Sequence, residues 1–372
     1  MFTDINPEVL VWARKESGYR TPETVAQKLN IKVEQLIEWE TEGKSVDFEI
    51  LELIAKTYKR QTAIFFLPDV PQRIKKPKDH RNFAIDSSDL SPETLLAIRR
   101  TSRYLQTTRD LGDAKFWSKK YEWLKEFTGK VNLIKKEALL LRKILEAPID
   151  LQVKETNSDF AFRFWRNRIE EKLNIFVFQF AIPNDEMDGF SYTLDGLPYA
   201  IVVDSKRQAA RKIFTLFHEL AHIFRRESGI CITNFADSKT QKQEEFDCNN
   251  FAGQFLVPNS AVKKYDTSED IYEAARLLNV SSEVYLRRIY DSGLLEENYF
   301  YELLNQIREK TSEYLRRRTV KKQSGGPSRI IQSRSSRGSK FFNLVTDAAQ
   351  GGRITFSTAS DLLGLKIGSI RA

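Results

Sequence analysis

Over the first seventy residues, apolar positions recur at the three- and four-residue spacing of short amphipathic helices. Asn6-Pro7-Glu8 opens one with Val9, Leu10 and Trp12, asparagine serving as cap and proline filling the first helical position. Thr21-Pro22-Glu23-Thr24 opens a second in the same way, carrying Val25, Ala26 and Leu29. A tight turn at Asn30-Ile31 leads to a third helix over Val33–Glu40, with Leu36 and Trp39 on the face to be buried. Further helices are expected over Phe48–Tyr58 and Thr62–Phe66. Five short helices with a tight turn between the second and third form a helix-turn-helix arrangement.

Pro68–Pro77, with Arg73, Lys75 and Lys76 among its prolines, reads as a linker. Ser91-Pro92-Glu93 then starts an amphipathic helix through Leu95, Ile98, Tyr104 and Leu105 whose polar face is basic. From about Ile149 the period changes. Ala161–Lys172 reads as a basic helix, and Asn174–Phe180 as a buried strand rich in β-branched and aromatic residues. Gly189–Leu194 and Tyr199–Val203 are two more strands, separated by the hairpin-type pair Asp195-Gly196. The helix Gln208–Phe224 follows directly. Ile271–Ile289 repeats the N-terminal spacing, Ala275-x-x-Leu278-Asn279-Val280 matching Ala26-x-x-Leu29-Asn30-Ile31. Its second helix ends in Arg287-Arg288, electrostatically better suited to a nucleic acid, although packing is the simpler role. Gly325-Gly326-Pro327 and the Ser/Arg-rich run 333–339 suggest a mobile break, and Thr358–Leu365 looks like a last helix-turn. The expected fold is α+β and mostly helical, a small sheet lying on the helix 208–224. The predicted divisions are a helix-turn-helix domain at 1–70, a helical linker region at 71–148, a mixed domain at 149–300 and a basic extension at 301–372.

Charge separates these regions. Residues 1–70 carry nine Lys/Arg against twelve Asp/Glu, whereas Arg308–Lys340 carries eleven Lys/Arg against two Glu. An electrostatic contact with nucleic acid therefore belongs to the basic C-terminal segment more readily than to the start of the chain, a flexible basic linker being the bland alternative. In the third helix only Lys32 and Gln35 are evident DNA-binding candidates, set among Glu34, Glu38 and Glu40, which repel phosphates. Contact with a partner protein, or homodimerisation, competes with DNA reading there. Apolar runs such as Ala63–Leu67 are too short to span a bilayer. The two cysteines, Cys231 and Cys248, cannot form a disulfide framework, so a reducing, cytoplasmic location is expected.

The chemistry concentrates in His218-Glu219-Leu220-Ala221-His222, which uses two of only three histidines. At i and i+4 on a helix, both imidazoles project from one face and can bind one metal ion. Glu219 occupies the place of the general base in zinc hydrolases. His80 stands alone in the linker and reads as ordinary surface. A catalytic zinc takes three protein ligands and keeps one open position. Cys231 offers a thiolate, more typical of a structural site. The cluster Glu244-Glu245-Phe246-Asp247 is the better source of a third ligand. It is expected to open a helix that buries Cys248, Phe251 and Phe255, although charge complementing a helix N-terminus also accounts for one or two acids.

Two resemblances follow from these residues. Ala26-x-x-Leu29-Asn30-Ile31, with Leu36 after it, resembles the Cro/CI-repressor (XRE-type) domain. Arg211-x-x-Phe214-Thr215-Leu216-x-His218-Glu219-Leu220-Ala221-His222, then Glu245-x-x-Cys248-Asn249-x-Phe251-Ala252 and Val257-Pro258, resembles the ImmA/IrrE metallopeptidases. Members of that family often carry an XRE-type domain ahead of the peptidase. The resemblance covers about residues 1–300, departing from the usual pattern at Ala221 and Cys248. It implies a zincin-like domain, a Zn2+ ion on His218, His222 and Glu245 (Glu244 as fallback), and Glu219 as general base. Tyr192, Tyr199 and Arg211 are nearby polar groups available to an oxyanion. The activity implied is that of a zinc endopeptidase cleaving a repressor or antitoxin, tied to transcriptional regulation or a mobile element. The rivals are a DNA-binding regulator whose metal domain is sensory or structural, and an antitoxin-like partner of a toxin.

Overall fold

The computed structural model describes residues 1–71, 90–112, 121–128, 130, 133–154, 157–183, 186–194, 196–225, 229–232, 239–318 and 328–371, with backbone only at 229–232, 239–242, 315, 317 and 318. His80, most of the expected linker and Gly325–Pro327 lie outside the described residues. The chain divides into two compact units, Met1–Ser102 with Ala181–Glu186, and Arg103–Phe180 with Met187–Ala372.

In the first unit, α1 (Pro7–Glu16) begins as the sequence dictates: the Asn6 side chain accepts from the amides of Glu8 and Val9, and Pro7 fills the first position. Helices α2 (Pro22–Leu29), α3 (Val33–Glu42) and α4 (Phe48–Tyr58) follow. The fifth expected helix is a 3-10 turn over Thr62–Phe66. An unanticipated two-stranded antiparallel ribbon joins β1 (Phe2–Thr3) to β2 (Val46–Asp47). Two-residue strands carry too little periodicity to read from sequence. Val9, Leu10, Val25, Leu36, Leu51, Ile54, Tyr58 and Phe65 form the core. Lys32 and Gln35 are both exposed on α3, beside exposed Glu34, Glu38 and Glu42. Glu40, expected on that face, instead turns inward to Arg14 at 2.6 Å, both side chains being buried. Helix α5 (Pro92–Leu111) is divided between the units at Ser102.

The second unit contains α6 (Ile134–Ile144), α7 (Ile149–Lys154) and α8 (Ser158–Arg168). The basic helix expected to reach Lys172 instead widens into a π turn over Ile169–Leu173, closed by Asn174 in the left-handed region. Strands β3 (Phe176–Phe180), β4 (Gly189–Thr193), β5 (Ala200–Asp204) and β6 (Gly229–Ile232) form one sheet in the order β3-β5-β4-β6. β3 and β5 are parallel, and β4 is antiparallel to both its neighbours. Under the sheet runs α9 (Ala209–Phe224), packed beside α10 (Lys239–Leu256). Phe217 stacks on Phe255 at 4.0 Å between centroids, and Trp165 meets both rings edge-on. Those three large aromatics fix the spacing of the two helices.

Helices α11 (Ser268–Leu277) and α12 (Ser282–Asp291) repeat the N-terminal turn. The Ile31 amide donates to Ala26 O and the Val280 amide to Ala275 O, across Asn30 and Asn279 at φ 55° and 54°. The echo in sequence is an echo in backbone. Arg288 is not a phosphate contact: it is buried and donates to Val257 O and to Asn259. Beyond α13 (Glu297–Arg318), the Ser/Arg-rich run expected to be a mobile break is helical. Helices α14 (Arg329–Arg337), α15 (Ser339–Gln350), α16 (Phe356–Leu363) and α17 (Gly368–Arg371) follow one another closely. Ser333 is buried, and its hydroxyl donates to Leu363 O, so packing satisfies a polar group that composition alone assigns to a mobile break. Phe341 of α15 packs against Tyr104, Phe176 and Phe178, covering the sheet face opposite α9. Among the described residues no helix is long and apolar enough to cross a membrane.

Candidate metal centre

Helix α9 buries Ile213, Leu216, Phe217, Leu220 and Ile223 against the core, so its remaining stripe, at 218 and 222, is held in place. The two His Nε2 atoms lie 3.2 Å apart. Glu245 reaches them from α10, with Oε2 3.2 Å from His218 Nε2 and Oε1 3.4 Å from His222 Nε2. One ligand atom from each of the three residues falls within 4.8 Å of the others. Glu245 thus joins the cluster and Glu244 does not, among the described residues.

The acidic run does not open α10. That helix starts at Lys239, which places Glu244–Asp247 more than a turn inside it. Interaction with the helix dipole fades within the first turn, so it accounts poorly for these carboxylates. Asp247 has a different task, accepting from Arg225 at 3.0 Å and tying the end of α9 to α10.

Burial on its own would raise the Glu245 carboxyl, but the neighbouring His218 and His222 side chains outweigh it and hold the group well below the usual carboxylate range. Glu219 behaves in the opposite way. Burial pushes its carboxyl up, and Glu245 adds to the effect, against His222, His218 and a hydrogen bond from Ser191 on β4. Its Oε2 is buried without a hydrogen-bond partner. Two imidazole nitrogens converging on a carboxylate, with an adjacent unsatisfied acceptor, make a donor set that fits a divalent metal and a water.

Two further residues belong to the site: Asn249, which the sequence offers only as a motif landmark, and Cys248, expected there only as a buried residue of the helix. Asn249 Oδ1 lies 3.0 Å from His218 Nδ1, and Cys248 Sγ lies 3.6 Å from His222 Nδ1. Their spacing from Glu245, three and four residues on, was the available signal, because it places all three on one face of a helix. Of the other polar candidates, Arg211 pairs with Asp188 at 2.6 Å, Tyr192 is buried, and the Tyr199 ring stacks on that of Tyr121. The side chain of Cys231 lies outside what is described.

A small sheet lying on a helix whose two histidines meet a glutamate from the next helix defines the class of metallopeptidase-type centres. Residues 170–290 match the family model described as the IrrE N-terminal-like domain, Peptidase_M78. That match supports the ImmA/IrrE family of metallopeptidases for this part of the chain. No curated protein and no solved structure matches the chain.

Proposed function

We propose that the chain is a cytoplasmic zinc endopeptidase that hydrolyses a peptide bond in a repressor or antitoxin protein. The observation that carries this reading is the convergence of His218, His222 and Glu245 beside a buried, unsatisfied Glu219 Oε2. Zinc, when bound by the three donors, supplies a Lewis acid that polarises a carbonyl and brings the pKa of a water down to about 7. The chain's own contribution centres on Glu219. Its raised affinity for a proton suits it to take one from the attacking water and to pass it to the departing amine as the C–N bond breaks. Burial of both histidines keeps the donors fixed and bulk water away from the proton path.

The exposed acids of α3 favour a protein partner over DNA for the N-terminal unit, since three carboxylates beside Lys32 and Gln35 oppose a phosphate backbone. The test is incubation with a candidate repressor or antitoxin substrate, taken from any such gene adjoining this one, with and without zinc. Wild-type protein should cut it only when zinc is present. Glu219→Gln should keep its metal and lose cleavage by about 10²–10⁴-fold. Zinc bound with no cleavage of that candidate would count against the reading.

A further inference from the structure

We infer that Asn249 is the positioning residue that makes His218 ready for metal, by dictating which ring nitrogen carries the hydrogen. The inference rests on the metal-centre reading above and adds a role for a side chain outside the ligand set. An imidazole that ligates through Nε2 must hold its hydrogen on Nδ1, and that hydrogen needs an acceptor. Asn249 Oδ1 provides one at 3.0 Å, while His218 Nε2 faces Glu245 and His222 Nε2. With the amide turned over, its NH₂ would donate to Nδ1 and drive the hydrogen onto Nε2, where it would block a metal. The carboxamide orientation and the ligand role of His218 are therefore linked.

His222 is served differently. The Cys248 sulfur, 3.6 Å from its Nδ1, is a weak acceptor, so the two histidines are not equivalent. Helix α10 thus brings the third ligand and both ring partners on one face, at positions 245, 248 and 249. Unlike Cys248, Asn249 is exposed, so replacing it leaves no cavity.

The experiment measures zinc affinity of the full chain by competition with a chelating dye, and the tautomer of His218 in metal-free protein by ¹⁵N NMR. Asn249→Leu should weaken zinc by about 10–100-fold and abolish the single Nδ1–H form of His218. Asn249→Asp, which keeps an acceptor, should retain wild-type affinity or exceed it. Cys248→Ala should cost far less than Asn249→Leu. Wild-type affinity in Asn249→Leu, or an aspartate variant as weak as the leucine one, overturns the role of Asn249. A wild-type chain that binds no zinc while Asn249→Leu still loses the Nδ1–H form would instead overturn the metal centre and leave the tautomer assignment standing. Because neither readout involves a substrate, failure of the proposed cleavage does not bear on the outcome.

Discussion

Glu219 holds a buried carboxyl for which the fold does little. Its Oε2 has no hydrogen-bond partner, and burial raises its pKa above the ordinary value. Between the unfolded value, near 4.5, and the raised folded value, the native state binds more protons than the unfolded chain. Native stability of the metal-free protein therefore falls as pH rises through that window, and the cost persists above it. Glu219→Gln removes the charge while keeping the shape. In thermal melts the metal-free variant should match wild type below about pH 4 and melt higher at neutral pH, the gap opening as pH rises and then levelling. Equal melting temperatures at pH 7 would show that the carboxylate is better solvated than its burial indicates. At this scale the pair of histidines is legible, because i, i+4 histidines in a chain with three admit few other readings. Asn249 and Cys248 are not, because an acceptor for a ring N–H can be almost any polar residue, and only the packing of α10 on α9 selects these two.

Among elements, the long amphipathic helices followed from periodicity, and what periodicity missed has physical causes. The start of α10 was misplaced because Lys239–Gln243 is uniformly polar and carries no apolar stripe to extend the pattern backwards. The π turn after α8 is invisible to a 3.6-residue period. The turn shared by α2–α3 and α11–α12 was the reverse case, legible because its chemistry is local. Asparagine tolerates the left-handed region better than other side chains with a Cβ, and both copies use it there. Asn30 is exposed, so its backbone conformation, rather than packing, should dominate the effect of substitution. Asn30→Gly should be close to neutral, and Asn30→Val should cost about 1–2 kcal/mol. Urea unfolding of the full chain, followed by amide hydrogen exchange of α1–α4, reads the difference. Equal midpoints for the two variants would exclude a conformational origin.

Within the second unit, the metal-site core and the C-terminal helices are joined by the Phe341 cluster and by a buried ionic knot. Arg166 and Glu170 form an ion pair at 3.5 Å with both side chains buried, and both reach the C-terminal segment. Arg166 donates to Ser335 O, and Glu170 accepts from the Lys340 amide at 3.1 Å. Each charge also meets β3, Arg166 through Val177 O and Glu170 through the Val177 amide. A buried pair of this kind stabilises only while every bond is made, and breaking it exposes the full cost of the buried charges. The sequence could not announce it, since its members are spread from 166 to 340. Gly338 is where the segment comes closest. At φ +80° it joins α14 to α15, and a Cβ there would collide with Glu170 Oε1 and press on Val177 O at 2.9 Å and Arg166 Nη2 at 3.0 Å. Gly338→Ala must therefore open the knot. Conformational strain alone is worth about 1–3 kcal/mol, and the unpaired charges add to it. Hydrogen exchange in the variant should accelerate through α14–α17 and β3, and at the end of α8 that carries Arg166. The His218–His222–Glu245 cluster lies on the other face, built on α9 and α10, so the affinity of the proposed zinc site should change by less than about threefold, well below the effect of losing a ring-orienting partner. Slowed or unchanged exchange in α14–α15 would mean that the C-terminal helices are held by the Phe341 cluster alone, with the ion pair a passenger.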